Sequence, residues 1–350
     1  MSTDWQGADA FGEVEARGEV GETAYRPAKL APAQVDLSAD LGYGVLLPNP
    51  VMTASGCAAN GREMHQFLDV AELGAFVTKS VKLHPQSGRG TPRMAETASG
   101  MLNSIGLQGP GIDAFVADDL PWLQSVGARA IVSIAGESSA EFAQVARRLV
   151  AADAFDAVAA IEVNISCPNV ENRGLVFACD PLSSAEVLEL VSREVPAGIP
   201  LLAKLTPDVT DITAIAAAAL AAGAHGLTMI NTLLGIRIDT ERMRPHLYGT
   251  TGGLSGPAIR PVAVRAIWQV YAAMRAGRIP SAPIVGVGGV RTGEDALELT
   301  LAGASAIQVG TAAFGDPSAP ARVIAELRSL LAARGLPRYR DLVGAAHEPR

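Results

Sequence analysis

Eight short apolar runs, spaced by segments of helical period, constrain this chain more than any other feature of its sequence. The runs are Val51–Thr53, Ala75–Thr78, Ala130–Ile134, Ala159–Ile165, Leu201–Leu205, Gly226–Ile230, Ile284–Val287 and Ala306–Val309. Between them lie Asp113–Ser125, Ser139–Ala151, Ser184–Glu194, Asp211–Ala222, Ile259–Met274, Gly293–Ala302 and Pro320–Ala333. A strand that is apolar on both faces belongs in a parallel sheet covered by helices. Eight such units predict a closed (β/α)8 barrel, an α/β fold of the TIM-barrel type. The other arrangement of such units is an open doubly wound sheet. That fold calls for a GxGxxG turn after its first strand, whereas Val51 is followed by Met-Thr-Ala-Ser-Gly-Cys.

The chain's 350 residues fit a single barrel domain. Residues 1–40 are polar, acidic and without period, and are expected to form a tail; residues 41–350 are expected to form the barrel. The net charge of -8 argues against nucleic acid as a partner. No apolar stretch is long enough to span a membrane, and the start of the chain has no signal-peptide core. Three dispersed cysteines, Cys57, Cys167 and Cys179, suit a reducing cytoplasm and suggest no metal site. Two connections are long, Val81–Pro110 and Thr232–Pro257. Both follow strands, so both should form loops over the C-terminal face, where such barrels carry their active sites.

The strand ends hold an unusual set of residues. They read Ala54-Ser55-Gly56, Thr78-Lys79-Ser80, Asn164-Ile165-Ser166-Cys167-Pro168-Asn169, Asn231-Thr232, Gly286-Val287-Gly288-Gly289 and Gly310-Thr311, with Lys204 inside the fifth run. Only four of the 28 basic residues are lysines, and two of those four fall here. A lysine in a barrel wall needs an anion. A phosphate, a carboxylate or a reduced flavin would serve, and so would an ion pair with Glu162, which shares the parity of Asn164 along its strand. Gly288, Gly289, Gly310 and Thr311 fit a phosphate cradle or simple tight turns. Three of the seven asparagines, Asn164, Asn169 and Asn231, converge on the same face, and Asn103 lies in the first long loop. Their amides match the edges of a pyrimidine-like ring, or cap loops. Cys167 is either an inert buried thiol or a base. A thiol hydrolase would want a histidine beside it, and no histidine ends a strand. Cys57 and Cys179 read as structural.

These segments together resemble the dihydroorotate dehydrogenase family. The likeness runs from Leu41 to Leu342 through TASGC at 53–57, TKS at 78–80, TPRMAETASGMLNSIGLQGPG at 91–111, NISCPNV at 164–170 and KLTPDVTDI at 204–212. It continues through LTMINTLLGIRID at 227–239, GGLSGPAIRPVAVR at 252–265, GVGGV at 286–290 and GASAIQVGTA at 303–312. Cysteine at 167 and the TMINT and GGLSGPA segments are most similar to class 1B; class 2 typically has serine as the base.

The resemblance implies a flavoprotein in which Cys167 removes the C5 proton of dihydroorotate and FMN accepts the C6 hydride. Cofactor contacts are expected at Ala54, Ser55, Lys79, Ser80, Ser133, Asn164, Lys204, Ile230, Gly256, Gly288, Gly289, Gly310 and Thr311. Substrate contacts are expected at Lys79, Asn103, Ser104, Ile105, Gly106, Leu107, Asn164, Asn169, Asn231 and Thr232. One departure stands out: the family's ANVAG segment reads VSIAG here, with Ser133 in the asparagine's place. The expected partners are a second copy of the chain and a subunit carrying FAD and an iron–sulfur centre. Two other functions are open to such a barrel: reduction of uracil or thymine, as in dihydropyrimidine dehydrogenase, and non-catalytic binding of a phosphate ligand.

Overall fold

The computed structural model describes residues 29–166 and 177–348. Eight strands form the central sheet: β1 (Val51–Thr53), β2 (Phe76–Val77), β3 (Ala130–Ile134), β4 (Val158–Val163), β5 (Leu201–Leu205), β6 (Gly226–Met229), β7 (Ile284–Val287) and β8 (Ala306–Val309). They pair in parallel in the order β1-β8-β7-β6-β5-β4-β3-β2. The seam between β1 and β2 is closed by a parallel bridge from Met52 to Ala75, with Gly74 N donating to Val51 O at 2.8 Å. Thr53 completes it with a side chain: its Oγ1 accepts from Val77 N at 2.8 Å and donates to Val77 O at 3.0 Å. The sheet is the expected (β/α)8 barrel, and its strands fall where the apolar runs placed them.

The helices between strands begin where the sequence offers caps. Ser138, Asp180, Asp211 and Thr292 accept backbone N–H groups at the starts of Ser139–Val150, Pro181–Glu194, Ile212–Ala221 and Gly293–Ala302. Their apolar stripes, with Arg260–Arg275 and Ala319–Ala333, pack on the outward side chains of the strands, such as Ile161, Ala203, Leu227 and Ile307.

Inward side chains alternate with these along each strand. They change character with height. The lowest layer is apolar: Met52, Ala75, Ile131, Ala160, Leu202, Val285 and Ala306 cluster together. One step up stand Ser133, Glu162, Lys204, Thr228 and Gln308, all buried. At the rim are Ser80 and Asn164. The strands therefore read as unbroken apolar runs only in their outer and lower positions.

Below the barrel the structure departs from the expected tail. Residues from Leu30 onward are packed. Leu30 N donates to Ala332 O at 3.0 Å, Asp36 N to Pro337 O at 2.8 Å, and Ala39–Asp40 pairs with Leu46–Leu47. Val35, Leu37, Ala39, Leu41 and Leu47 are buried against Leu327, Leu331 and Tyr339. A barrel's lower opening exposes apolar side chains, and this hairpin covers them. Residues 1–28 of the expected tail lie outside the described residues.

Above the barrel, the two long connections supply a four-stranded antiparallel sheet, in the order Leu233–Ile236, Thr251–Ser255, Gly100–Asn103, Met94–Thr97. Its two halves come close only because their facing residues are small. A Cβ at Gly100 would collide with the Ser255 carbonyl, and one at Gly252 with the Asn103 carbonyl.

Candidate active site

A cavity of about 670 Å³ lies between the barrel mouth and this sheet, within the usual range for cofactor and ligand sites. The end of β1 supplies Ala54 and Ser55, the end of β2 supplies Lys79 and Ser80, and β4 and β5 supply Asn164 and Lys204. Ile230, Asn231 and Thr232 follow β6; Gly288 and Gly289 follow β7; Gly310 and Thr311 follow β8. From above come Asn103, Ile105, Gly106 and Leu107 of the first long connection and Gly256 of the second. Eighteen residues expected from sequence thus share one cavity.

Four did not arrive there as described. Cys167 and Asn169 lie outside the described residues. Ser104 alternates away from Asn103 and accepts from Arg89 Nη1 at 3.0 Å. Ser133 is completely buried one layer beneath the cavity, where its Oγ lies 2.9 Å from Ser80 Oγ and donates to Glu162 at 3.1 Å. It faces the barrel interior, but serine is too short to reach the wall from that depth.

The polar groups at the rim are bound to one another. Asn164 Nδ2 donates to Ser80 Oγ at 2.9 Å, and Asn164 Oδ1 accepts from Ser166 Oγ at 3.0 Å. Asn231 Nδ2 donates to Ser166 Oγ at 2.8 Å, and Asn231 Oδ1 accepts from Thr232 N at 2.8 Å. Asn103 Nδ2 donates to Gly253 O at 3.3 Å. Amides held this way present fixed donors and acceptors, which favours recognition of one planar ring orientation.

The two lysines differ. Lys204 is 5% exposed and pairs with Glu162 at 3.2 Å. Lys204 is thus in an ion pair with Glu162 and also at the cavity wall. Lys79 is half-buried and, among the described residues, its ammonium has no hydrogen-bonded or ionic partner. Burial holds its pKa below the ordinary lysine range; the Cys57 thiol opposes that shift and Arg93 adds to it. An unpaired, partly desolvated ammonium in a cavity is a place for an anion.

At the opposite end, Gly288 and Gly289 turn the chain with φ of +140° and +76°, a region that side chains disfavour. The turn places backbone and not side chain at the cavity. Thr311 Oγ1 donates to Ser255 Oγ at 2.8 Å, which ties the last strand end to the overlying sheet.

Sequence reasoning missed several wall residues. Cys57, read as structural, lines the cavity, where burial pushes its thiol up to about 11 despite Lys204 and Lys79 nearby. Met94, Met101 and Ser255 come from the overlying sheet, and Arg291 from the turn after β7. Ser255 was visible within the GGLSGPA segment; the two methionines carried no signal beyond ordinary apolarity.

The family profile described as "Dihydroorotate dehydrogenase" matches residues 41–331. This chain belongs to the dihydroorotate dehydrogenase family. It is 48% identical over 313 residues to the "Dihydroorotate dehydrogenase B (NAD(+)), catalytic subunit" of Geotalea daltonii, covering 89% of this chain and 99% of that protein. Proteins of the same description in Desulforudis audaxviator and Geobacter sulfurreducens are 49% and 46% identical, covering 87% and 89% of this chain and 95% and 98% of theirs. The relatives are thus class 1B proteins, and the chain is a flavin-dependent oxidoreductase of the kind that acts on a CH–CH bond. Among the described residues no His, Cys, Asp and Glu cluster could hold a metal, and no helix is long and apolar enough to cross a membrane.

Proposed function

We propose that this chain oxidises dihydroorotate to orotate in pyrimidine biosynthesis, using FMN held in the cavity above the barrel. The observation that carries the reading is the cavity itself. In one chamber it joins two amines, three rim asparagines and two glycine turns, on a chain of this family.

The residues fit FMN. The backbone after β7 and β8, with Thr311, offers N–H and hydroxyl donors for a phosphate. Ala54 and Ile230 offer apolar surface for a ring system, and Lys204 offers a cation for its electron-rich pyrimidine edge. When bound, FMN supplies the hydride acceptor.

The chain's own residues do the remaining work. Asn103, Asn164 and Asn231 orient the dihydropyrimidine ring. Lys79 pairs with its carboxylate. Cys167, next in sequence to the buried Ser166, removes the proton at C5 as a thiolate. The overlying sheet limits water at the reacting atoms. The relatives' names, with "NAD(+)" and "catalytic subunit", support a separate partner subunit that would pass the electrons to NAD; an FAD and an iron–sulfur centre on that subunit would supply the route. The cytoplasm and a homodimeric core complete this reading.

The test is optical. The purified protein should be yellow, and anaerobic dihydroorotate should bleach it while dihydrouracil should not. Bleaching by dihydrouracil would point to the dihydropyrimidine dehydrogenase reaction. A colourless protein that still binds phosphate ligands would leave only the binding-module reading.

A further inference from the structure

The polar layer of the barrel interior contains an acid that does not touch the cavity. Glu162 is completely buried on β4. Donors from three other strands converge on its carboxylate: Ser133 Oγ of β3 at 3.1 Å, Lys204 Nζ of β5 at 3.2 Å and Gln308 Nε2 of β8 at 2.9 Å. Strands β4 and β8 are not neighbours in the sheet, so the bond to Gln308 crosses the barrel's interior.

Glu162 also orients a row of hydroxyls. Ser133 has one hydrogen and gives it to Glu162, so at 2.9 Å it must accept from Ser80. Ser80, its hydrogen committed, accepts from Asn164 Nδ2 at 2.9 Å and from Ser55 Oγ at 3.2 Å. The acid's influence thus reaches the cavity wall twice, through the Lys204 ammonium and through the Ser55 oxygen.

This arrangement is poor for stability. Apolar residues of similar volume usually serve a core at least as well as a buried ion pair. Gln308 also leaves its Oε1 buried with no partner among the described residues, a cost that an apolar residue would avoid. The layer below is apolar throughout, so the barrel could have been filled that way.

We infer that Glu162 is a positioning residue for the redox step. It fixes the Lys204 ammonium at the cavity wall and offsets part of its charge, which holds the flavin's midpoint potential below the value an unpaired Lys204 would impose. The inference rests on the flavin reading above. A reduced flavin carries added negative charge, so an uncompensated cation beside it favours reduction.

The experiment is spectroelectrochemical titration of the FMN-loaded protein in four forms: wild type, Glu162→Gln, Lys204→Met and the double variant. Glu162→Gln should raise the reduction equilibrium constant at least tenfold, about 30 mV for a two-electron couple. Lys204→Met should lower it. The double variant should match Lys204→Met, because a buried acid without its lysine takes up a proton and carries no charge. A merely structural role would lower thermal stability and leave the potentials alone. An unchanged potential in Glu162→Gln, or shifts that add in the double variant, would overturn the inference.

Should Glu162→Gln alone fail to fold, the double variant has both charges removed and is expected to fold. Its potential against Lys204→Met then decides: equality supports the inference, and a tenfold difference overturns it. Should Lys204→Met release its flavin, Glu162→Gln against wild type decides alone. A wild-type protein without flavin removes the site reading and this inference together. A flavin-loaded wild type that dihydroorotate bleaches, with Glu162→Gln unshifted, removes only the inference.

Discussion

The two ends of this barrel are built from the same strands and do opposite things. At the lower end the inward residues are Met52, Ile131, Ala160, Leu202, Val285 and Ala306, sealed by a hairpin that buries Leu37, Leu41 and Leu47. At the upper end, two to four residues further along, they are Ser133, Lys204, Gln308, Asn164 and Ser80, beneath a sheet rich in glycine. Apolar packing at one end supplies the free energy that lets the other end hold a buried ion pair and a row of bound amides. Substitutions at the two ends should therefore separate cleanly, upper ones changing chemistry and lower ones changing stability.

The largest expected effect is at the upper end. Cys167→Ser puts a hydroxyl where the proposed base stands. Flavin reduction by dihydroorotate should slow by roughly a hundredfold to ten-thousandfold, about 3–5 kcal/mol of barrier, with unfolding temperature unchanged. Anaerobic stopped-flow reduction checks it, and equal rates in the two proteins would remove Cys167 from the mechanism. Next in size is Leu47→Ala at the lower end, where the side chain is fully buried. It should cost about 2–4 kcal/mol in chemical denaturation yet leave the flavin spectrum and the reduction rate of the folded fraction as they were. A lower-end variant that slowed flavin reduction would break the separation.

Much of this contrast could be read from the sequence, and the remainder fails for identifiable reasons. The strands were legible because a buried parallel strand is apolar on its outer face along its whole length. The site was legible because barrel topology sends every strand end to one face, so Lys79, Asn164, Lys204 and Asn231 had to meet. Depth was not legible. Alternation put Glu162 on the side of Asn164, and the family resemblance put Ser133 at the cofactor, but only three dimensions show that Ser133 stops a layer short of the cavity. The lower hairpin was hidden by its proline- and acid-rich surroundings, although Val35, Leu37, Ala39 and Leu41 do alternate as a half-buried strand should. The overlying sheet was hidden by its glycines and by pairings such as Asn103 with Gly253, 150 residues apart.

A smaller effect is expected where the two regimes meet, at the seam. Thr53 is fully buried, and its hydroxyl serves both the N–H and the carbonyl of Val77. Thr53→Val keeps the shape and removes both bonds, leaving two backbone groups unpaired in the barrel wall. The expected loss is about 1–3 kcal/mol. Because Ala54 and Ser55 follow directly on the cavity wall, this variant should also weaken FMN retention slightly. Thr53 would then be one residue whose loss is felt at both ends, and a stability loss with FMN affinity unchanged would place the seam wholly with the lower regime.

The smallest expected effect is a pH dependence. In the proposed binding mode Lys79 pairs with the carboxylate of orotate, which requires its ammonium form. Burial lowers its pKa, with Arg93 adding to the shift, so the ammonium is lost below the value of about 10.4 usual for lysine. For a base with a depressed pKa the charged form is present at low pH and disappears as pH rises. Orotate affinity should accordingly be level near neutral pH and fall on the alkaline side earlier than an ordinary lysine would allow. Cys57 does not account for such a limb, because burial pushes its thiol up to about 11. Lys204 is already matched with Glu162. Titrating orotate against the flavin absorbance between neutral pH and pH 10, in wild type and Lys79→Met, isolates the term. The variant should bind weakly at every pH with a flat profile. A wild-type profile flat to pH 10, or an alkaline limb that persists in Lys79→Met, would transfer the carboxylate to another partner and leave Lys79 among the residues that only shape the wall.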